Sequence, residues 1–300
     1  HHEVSKEQGS FELAIEAAKK AISRAKIEPD SIDLVINASV SKMNHELSQH
    51  LSPSYASLIA DNLKINNAQC FDVSNACASM VTSLMIAESR IKSGQANYAL
   101  IVSGEHITPI IDEAKRRNLY LHPRAIASLT VGDGAAAYIL GPTEQEGRIK
   151  FSEPFTLAQH NRLCIGQACK NHRGPQMRTK AKDLQNGVLD NLGVFLQRSI
   201  KKMDIKWDKI DHTYSHPTTP KAVKKGAKIA TEVLGEINFL HNDSAETANT
   251  ASTTHGVLLE ISHENKYLKS NETVFMVSFG SGLAMVAIHF NLPEGVEEWS

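Results

Sequence analysis

The sequence has almost no net charge and few cysteines. Its formal net charge is −1, so no overall field attracts nucleic acid or an anionic membrane, and we expect neither as a partner. Its four cysteines, at positions 70, 77, 164 and 169, do not make a disulfide framework, and we expect reduced thiols. Cys164 and Cys169 have no partners at metal-ligand spacing, so we also expect no metal.

Long apolar runs are also missing. No run reaches the roughly 18 residues that a membrane span requires, and no secretory signal pattern opens the chain. We therefore expect a cytoplasmic protein. The 300 residues, 41% hydrophobic and 22% charged, are typical of a soluble globular chain that forms one large α/β domain or two fused halves.

Helical and strand patterns alternate along the chain. In the first half, a helix capped by Ser10 precedes a buried strand at 33–38, and a second helix follows a cap at Ser52 and Pro53. In the second half the patterns predict helices over 183–203, 219–234 and 250–265, with strands over 210–215, 237–240 and twice within 273–290. We predict an α/β fold of two similar halves, residues 1–145 and 146–300, divided at a polar turn near 141–147.

The best candidate for a reactive group is Cys77. A short strand pattern ends in Ser-Asn-Ala before Cys77, and apolar residues then recur at helical spacing from Met80. This places Cys77 in the first turn of a helix, where free N–H groups and the positive end of the helix dipole favour a thiolate and hold a developing oxyanion. Because most free cysteines in apolar surroundings are structural, the prediction of a nucleophile depends on partner residues.

Two later strand-to-helix turns supply such partners. His216 lies at the end of one predicted strand, and Asn249 lies at the start of another predicted helix. Functional groups in α/β sheets lie at such turns, although a lone His is more often structural and a lone Asn is more often a helix cap. Together, Cys, His and Asn support a mechanism in which a thiolate attacks a thioester while His and Asn donate hydrogen bonds to a carbonyl that becomes an enolate.

The set of motifs resembles the β-ketoacyl-ACP synthase III family of the thiolase superfamily. The motifs are Asp-Val-Ser-Asn-Ala-Cys-Ala at 72–78, Val-Gly-Asp-Gly-Ala at 131–135, His216, Ala-Asn-Thr at 248–250 and Phe-Gly-Ser-Gly at 279–282. The resemblance implies a five-layer αβαβα fold of two fused halves, a homodimer, and a first strand before His1. Two departures are Pro-Thr-Thr after His216, where the family has Gln-Ala-Asn, and Ser281 in the last glycine loop.

The resemblance also implies a mechanism. Cys77 would take an acyl group from acyl-CoA or acyl-ACP, with the backbone N–H groups of Cys77 and Ser281 as the oxyanion hole. His216 and Asn249 would bind the thioester oxygen of malonyl-ACP or malonyl-CoA and stabilise the enolate left by decarboxylation. Acyl carrier protein and CoA thioesters are therefore the expected partners, in fatty acid biosynthesis, and no permanently bound cofactor is expected. A positive φ at Ser281 would introduce strain.

A basic helical face follows His216. Lys221, Lys224, Lys225 and Lys228 lie at i, i+3, i+4 and i+7. Three of these lysines crowd the first turns of the helix, where the dipole disfavours cations, so an anionic partner would compensate. We predict that Lys221, Lys224 and Lys225, with Arg124 from the charged connection at 105–127, contact acyl carrier protein or a CoA phosphate; a solvated face is the alternative.

The resemblance also places an acyl-pocket gate. In the family, the loop before the helix that begins here near Pro53 places an aromatic residue in the partner's acyl pocket. Here Leu51 and Ser52 occupy this position, so an open gate and a preference for primers longer than acetyl are expected. His255, six residues beyond Asn249 on one predicted helix, should face away from the site.

Three other functions remain open or are disfavoured. An acyltransferase of the same family would pass the acyl group to a specialised-metabolite acceptor without decarboxylation, and the sequence does not exclude it. A non-catalytic subunit of a heterodimer is disfavoured by the intact Cys, His and Asn set. A papain-like protease is disfavoured because Asn249 lies further from Cys77 than the expected 130 to 150 residues or so. The regular alternation of helix and strand patterns along the chain is also not that of such a protease.

Overall fold

Two β-sheets, one from each half of the sequence, organise the chain. The computed structural model describes residues 4–5, 7–144, 148–170, 173–216, 219–241 and 247–299. The strands of the first sheet are β1 (Ile32–Asn37), β2 (Gln69–Asp72), β3 (Tyr98–Glu105) and β4 (Gly134–Leu140). Their order is β2-β1-β3-β4, with β1 parallel to β2 and β3 and with β4 antiparallel to β3.

The second sheet is built from the later strands. They are β5 (Ile149–Phe151), β6 (Phe155–Thr156), β9 (His212–Ser215), β10 (Leu240–His241), β11 (Thr273–Gly280) and β12 (Ala284–Asn291). The order is β10-β9-β11-β12-β5, and β6 also pairs with β12. Two strands, β7 (Cys164–Ala168) and β8 (Pro175–Thr179), form a separate antiparallel hairpin.

Helices cover both sheets and separate them. The helices are α1 (Ser10–Ala25), α2 (Tyr55–Asn62), α3 (Ser79–Lys92), α4 (Pro109–Lys115), α5 (Ala181–Met203), α6 (Pro220–Leu234) and α7 (Thr254–Glu264). Apolar residues of α1 and α2 pack on one face of the first sheet. The helices α3 and α7 lie between the sheets, and α5 and α6 pack on the outer face of the second.

Alternating strand residues join these layers. In β3, Leu100 packs with α1 and α2 whereas Ile101 packs with α3. In β11, Met276 faces the central helices whereas Phe275 and Val277 face α5 and α6. Because neighbouring strand residues point to opposite faces, each sheet contributes to two apolar layers. The result is the αβαβα arrangement, and the predicted α/β class is confirmed.

Several predicted details were wrong. Helix α2 begins at Tyr55 with Ser54 as its cap, so Ser52 does not cap it. Helix α1 has Gly9 at its cap position, while the buried hydroxyl of Ser10 contacts Ser41 Oγ at 2.9 Å. In both cases the sequence offered two nearby residues that can cap a helix. Contacts with distant residues, Asp72 at the start of α2 and Ser41 at Ser10, accompany the choice.

Three elements had no clear sequence pattern. Helix α4 lies in the charged connection, residues Pro123–Thr130 form a 3₁₀ helix, and β7 and β8 form a hairpin of which β7 is mostly exposed. The predicted division into residues 1–145 and 146–300 stays a prediction, and residues 145–147 at this division lie outside the described part of the chain. No helix within the described ranges is long and apolar enough to cross a bilayer.

Candidate active site

The Cys77 turn is held against the end of β11. Cys77 lies in a one-turn 3₁₀ helix, Ala76–Ala78, which leads into α3. The Ser278 hydroxyl donates a hydrogen bond to the Cys77 carbonyl at 3.2 Å. A Cβ at Gly280 would lie 2.5 Å from the Asn75 carbonyl oxygen, so only glycine permits this close approach. The Ser281 backbone is thereby carried to the Cys77 turn.

Four of the residues predicted from sequence line one cavity. Cys77, His216, Asn249 and Ser281 all border a cavity of about 830 Å³, here named the Cys77 cavity. They come from four separate strand-to-helix or strand-to-strand turns. Ser281 is not among the described residues with positive φ, and the positive φ of 138° falls instead on Gly282, where it costs no side-chain strain. The strain expected at Ser281 is thus avoided.

His216 is a buried, neutral imidazole. Its side chain is 4% exposed, and its backbone N–H donates to the Val277 carbonyl at 3.0 Å. Burial, with a smaller contribution from His255, lowers the pKa of His216 to about 3. At neutral pH the ring therefore has one N–H to donate and no positive charge. Among the described residues, His216 Nδ1 has no hydrogen-bond partner.

The Asn249 amide is oriented by the backbone around it. Its backbone N–H donates to the Thr130 carbonyl at 2.9 Å, and its carbonyl accepts from Gly132 N–H at 3.1 Å. Its side-chain Oδ1 accepts from Ala251 N–H at 2.9 Å. Because this bond occupies the oxygen, the side-chain NH₂ is the group that Asn249 can offer to a ligand oxygen. The glycines at 132 and 134 closely approach residues 247–253.

His255 packs beside His216 without bordering the Cys77 cavity, so it lies closer to the site than the sequence predicted. The two ring centroids are 6.0 Å apart, and His255 Nε2 contacts the Val277 carbonyl at 3.0 Å. Residues Ala251–Thr253 form a 3₁₀ turn, Ala251 has a φ of 52°, and α7 begins only at Thr254. The spacing argument assumed one continuous α-helix from Asn249, which does not exist.

The Cys77 thiol does not have the lowered pKa that its helix position predicted. Burial, followed by the neighbouring Cys164 and Glu105, raises the pKa of Cys77 to about 12. A single 3₁₀ turn brings few aligned N–H groups, so desolvation of the thiolate outweighs the dipole. Cys164 also lines the cavity, a placement that the sequence did not indicate.

We therefore expect alkylation of Cys77 in the free protein to be slow at neutral pH. Because only the thiolate reacts, its rate with iodoacetamide should rise about tenfold per pH unit up to about pH 10, whereas an ordinary cysteine levels off near its pKa of about 8.5. Mass spectrometry of the Cys77 peptide after short pulses measures this rate, with a free cysteine peptide as the control. A plateau below pH 8 would contradict the raised pKa of about 12.

Glu105 is a buried carboxyl group that sequence reasoning missed. It lies at the end of β3 and is 0% exposed. It accepts hydrogen bonds from Val40 N–H at 2.8 Å, Ser41 N–H at 3.0 Å and Ser252 Oγ at 2.6 Å. Burial raises its pKa, and these hydrogen bonds oppose the shift. Glu105 therefore joins the loop after β1 to the turn that follows Asn249. The sequence did contain one indication of such a role, because Glu105 is a charged residue at the end of an otherwise apolar strand.

We expect Glu105→Gln to destabilise the fold. Glutamine replaces one hydrogen-bond-accepting oxygen of Glu105 by an NH₂ group, which would then face a hydrogen-bond donor of a neighbouring residue. Each buried donor that loses its acceptor in this way costs about 1 to 3 kcal/mol. Urea unfolding measures the loss. Glu260→Gln is a matched control, because Glu260 forms partly exposed ion pairs with Lys20 and Arg24 that contribute about 0 to 1 kcal/mol. Equal stability of the two variants would contradict the prediction.

Only some of the charged residues predicted to bind CoA or a carrier protein line the cavity. Lys221 and Lys225 line it and are exposed, and Lys182, which the sequence did not single out, lines it as well. Lys224 and Arg124 are exposed but lie outside its lining.

The predicted gate residues lie outside the cavity of their own chain. Leu51 is 85% exposed, Ser52 is exposed, and neither borders the Cys77 cavity. The structure contains one chain, and the gate was predicted to act on a partner subunit. Both the gate and the homodimer therefore stay predictions.

Comparison with known proteins supports the family resemblance. The sequence profile of the family described as 3-Oxoacyl-[acyl-carrier-protein (ACP)] synthase III matches residues 71–154. A beta-ketoacyl-[acyl-carrier-protein] synthase III of Clostridium botulinum (strain 657 / Type Ba4) is 27% identical over 93% of this chain and 83% of its own length. The enzyme of the same name from Wolbachia pipientis wMel is 26% identical over the same shares.

Solved structures share the fold. OleA of Xanthomonas campestris, determined with bound lauric acid and lauroyl-CoA, superposes with a TM-score of 0.84 at 22% identity, over 96% of this chain and 84% of that chain. The 3-oxoacyl-(acyl carrier protein) synthase III, FabH, of Xanthomonas oryzae pv. oryzae gives a TM-score of 0.80 at 23% identity, over 93% and 81%. The sequence matches confirm the resemblance drawn from the motifs: this chain is similar in sequence to β-ketoacyl-ACP synthase III enzymes and shares the fold of FabH and OleA.

Proposed function

We propose that this protein is an acyl-thioester condensing enzyme that makes a β-ketoacyl thioester. The Cys77 sulfur attacks the carbonyl of acyl-CoA or acyl-ACP, the carrier thiol leaves with the Cys77 proton, and an acyl-Cys77 thioester remains. A malonyl thioester then loses CO₂, and the electron pair of the broken bond forms an enolate. The enolate carbon attacks the acyl-Cys77 carbonyl, which expels the Cys77 thiolate and forms the new C–C bond.

The residues of the cavity have distinct roles in this reaction. The backbone N–H groups of Cys77 and Ser281 stabilise the oxyanion formed on the acyl group. His216 and the NH₂ of Asn249 donate to the malonyl thioester oxygen as it becomes an enolate. A neutral His216 suits this role, because the lowered pKa keeps the ring uncharged at neutral pH with one N–H to donate.

One observation carries the proposal. Cys77, His216, Asn249 and Ser281, scattered over more than two thirds of the sequence, line a single cavity. A structural cysteine, a capping asparagine and a core histidine have no physical reason to meet at one cavity. A thiol nucleophile and enolate-stabilising donors must meet there for the two half-reactions to share one acyl group.

Intact-mass spectrometry tests the proposal directly. The protein is incubated with acetyl-CoA, octanoyl-CoA or decanoyl-CoA, and then with malonyl-CoA or malonyl-ACP. We expect a mass increase of one acyl group on Cys77, followed by its loss as β-ketoacyl thioester and CO₂ appear. Acyl loading without malonyl-dependent discharge would reject the condensing function and favour acyl transfer to another acceptor. No loading from any thioester would reject both.

The lysines at the cavity are proposed to bind the carrier or the CoA phosphates. Lys221 and Lys225 lie one turn apart and line the cavity. We expect the double change to Glu to raise KM for the carrier-bound substrate by about tenfold or more at low salt and to weaken its salt dependence. Steady-state kinetics over a range of salt concentrations measure both effects.

A matched control separates local recognition from overall charge. Lys206 and Lys209 are exposed and lie outside the cavity lining, so their double change to Glu alters the net charge equally. We expect it to leave KM nearly unchanged. A similar KM increase in both double variants would contradict local binding and indicate a general charge effect.

A further inference from the structure

Helix α7 carries a buried histidine that has no part in the chemistry proposed above. His255 is 1% exposed and does not border the Cys77 cavity. Its Nε2 lies 3.0 Å from the Val277 carbonyl oxygen, and its Nδ1 has no partner among the described residues. Burial lowers the pKa of His255 to about 4, so the ring is neutral at neutral pH. Because a carbonyl oxygen only accepts hydrogen bonds, the single ring N–H is at Nε2 and donates to Val277.

The Val277 carbonyl joins three elements beside the cavity. It also accepts the backbone N–H of His216 at 3.0 Å, so His216 and His255 use both lone pairs of one oxygen. Val277 lies in β11 opposite Ser215, in parallel register with β9. Because β9 ends at Ser215, the His216 N–H continues this pairing past the end of the strand. The acceptor that holds the His216 backbone is therefore also held by His255.

His255 belongs to the segment that carries Asn249. The 3₁₀ turn Ala251–Thr253 follows Asn249, and His255 is the second residue of α7. The backbone bonds of Asn249 lead to Thr130 and Gly132 in the first half of the chain. The bond of His255 leads instead to β11 and, through it, to the end of β9. One side chain thus connects the segment that bears one enolate-stabilising donor with the strand that bears the other.

The His216 ring depends on its surroundings for its position. Its Nδ1 is buried and has no hydrogen-bond partner among the described residues, whereas the side chain borders the Cys77 cavity. Nε2 is therefore the nitrogen that can donate into the cavity. Since Nδ1 makes no bond that would hold the ring, its position is set by its own backbone and by packing. The ring of His255 is one of its neighbours, with centroids 6.0 Å apart.

We propose that His255 is a positioning residue for malonyl decarboxylation: through the Val277 carbonyl it sets the place of His216 relative to Asn249, so that both donors reach the same thioester oxygen. This inference rests on the proposed function, and His255 touches no substrate. Donors to an oxyanion act at about 2.7 to 3.1 Å from it, and a misplacement of about 1 Å can lower a rate by about a hundredfold. The position of His216 should therefore affect the rate much more than it affects folding.

Three substitutions at position 255 test the hydrogen bond to Val277. His255→Gln keeps an N–H donor at about the reach of Nε2, His255→Asn has the same amide one CH₂ shorter, and His255→Leu has no donor. In each variant the Val277 carbonyl keeps the His216 N–H, so this buried acceptor is not left unpaired. We expect His255→Asn and His255→Leu to lower the rate of malonyl-ACP decarboxylation by about tenfold to a hundredfold, and His255→Gln to stay within about threefold of the native rate.

Single-turnover assays measure decarboxylation and acyl loading separately. Loading should change by less than about threefold in all three variants, because the oxyanion of that step contacts backbone N–H groups. His263→Leu makes the same replacement about two turns further along α7, outside the cavity lining, and should decarboxylate as the native protein does. Equal rates in His255→Gln and His255→Asn, or loading that falls as far as decarboxylation, would overturn the proposal.

Crystal structures of the three variants separate this inference from the proposed function. In His255→Asn and His255→Leu the distance between His216 Nε2 and Asn249 Nδ2 should change by more than about 0.5 Å, the tolerance of a preorganised site, and in His255→Gln it should not. A native protein that does not decarboxylate malonyl thioesters would reject the condensing function, and this distance would still decide whether His255 positions His216. A distance that is unchanged in all three variants would overturn the positioning role in an active enzyme as well.

Discussion

Cys77→Ala should abolish acyl loading and reduce condensation by at least about 10³-fold. No other described residue among the catalytic candidates can form the acyl thioester, because His216 and Asn249 act as hydrogen-bond donors in the proposed mechanism. Intact-mass spectrometry measures loading after exposure to acyl-CoA, and product formation from malonyl-ACP measures condensation. The substitution removes one sulfur atom from a cavity wall, so we expect the fold to survive.

The second thiol of the cavity provides the matched control. Cys164 lines the same cavity, and Cys164→Ala removes the same group at a position without a proposed covalent role. It should load an acyl group as the native protein does. Acyl loading in Cys77→Ala, or its loss only in Cys164→Ala, would contradict the assignment of Cys77.

Loss of either enolate-stabilising donor should slow decarboxylation much more than acyl loading. Removing one preorganised donor to an oxyanion typically lowers kcat by about 10² to 10³, so His216→Ala and Asn249→Ala should each release CO₂ from malonyl-ACP at this lower rate. Acyl loading should change by less than about tenfold, since the oxyanion of that step contacts backbone N–H groups. Single-turnover assays of each half-reaction separate the two effects.

An isosteric change sharpens the test at Asn249. In Asn249→Asp, one carboxylate oxygen can still accept from Ala251 N–H, as Oδ1 does at 2.9 Å, but the NH₂ donor is replaced by a negative oxygen. Decarboxylation should fall at least as far as in the Ala variant, because the enolate would now face like charge. Asn62→Asp, at an exposed position of α2, is the control. Decarboxylation that persists in Asn249→Asp would refute the donor role.

Much of the fold follows from local sequence patterns. The helices over Ala181–Met203 and Pro220–Leu234 and the strands over Thr273–Gly280 and Ala284–Asn291 differ from their predicted bounds by only a few residues. Their apolar periodicity is strong, and packing on one face reinforces the same local preference. The β7–β8 hairpin shows no such periodicity, because β7 is mostly exposed and β8 mixes buried polar residues with exposed ones, so its sequence carried little signal.

The motifs also identified which residues to examine, though not how each behaves. Cys77, His216 and Asn249 were singled out because turns after strands place side chains at the edge of a sheet, and Ser281 because of the family resemblance. All four border one cavity. The orientation of His255 could not be predicted, because a positive φ at Ala251 interrupts the helix. Glu105 was missed because its partners, Val40 and Ser252, lie far from it in sequence.

The sequence by itself determined the α/β class, the main helices and strands, and the set of residues with the chemistry of an acyl-thioester enzyme, because periodicity, turn composition and motif order are local properties. Only the tertiary structure decided the raised pKa of Cys77, the lowered pKa of His216 and the cavity that the two residues share. Each of these properties depends on which segments, distant in sequence, pack around the side chain and exclude water from it. Ser278 reaches the Cys77 carbonyl across 201 residues of sequence, and the desolvation that such contacts produce has no signature in the residues nearby.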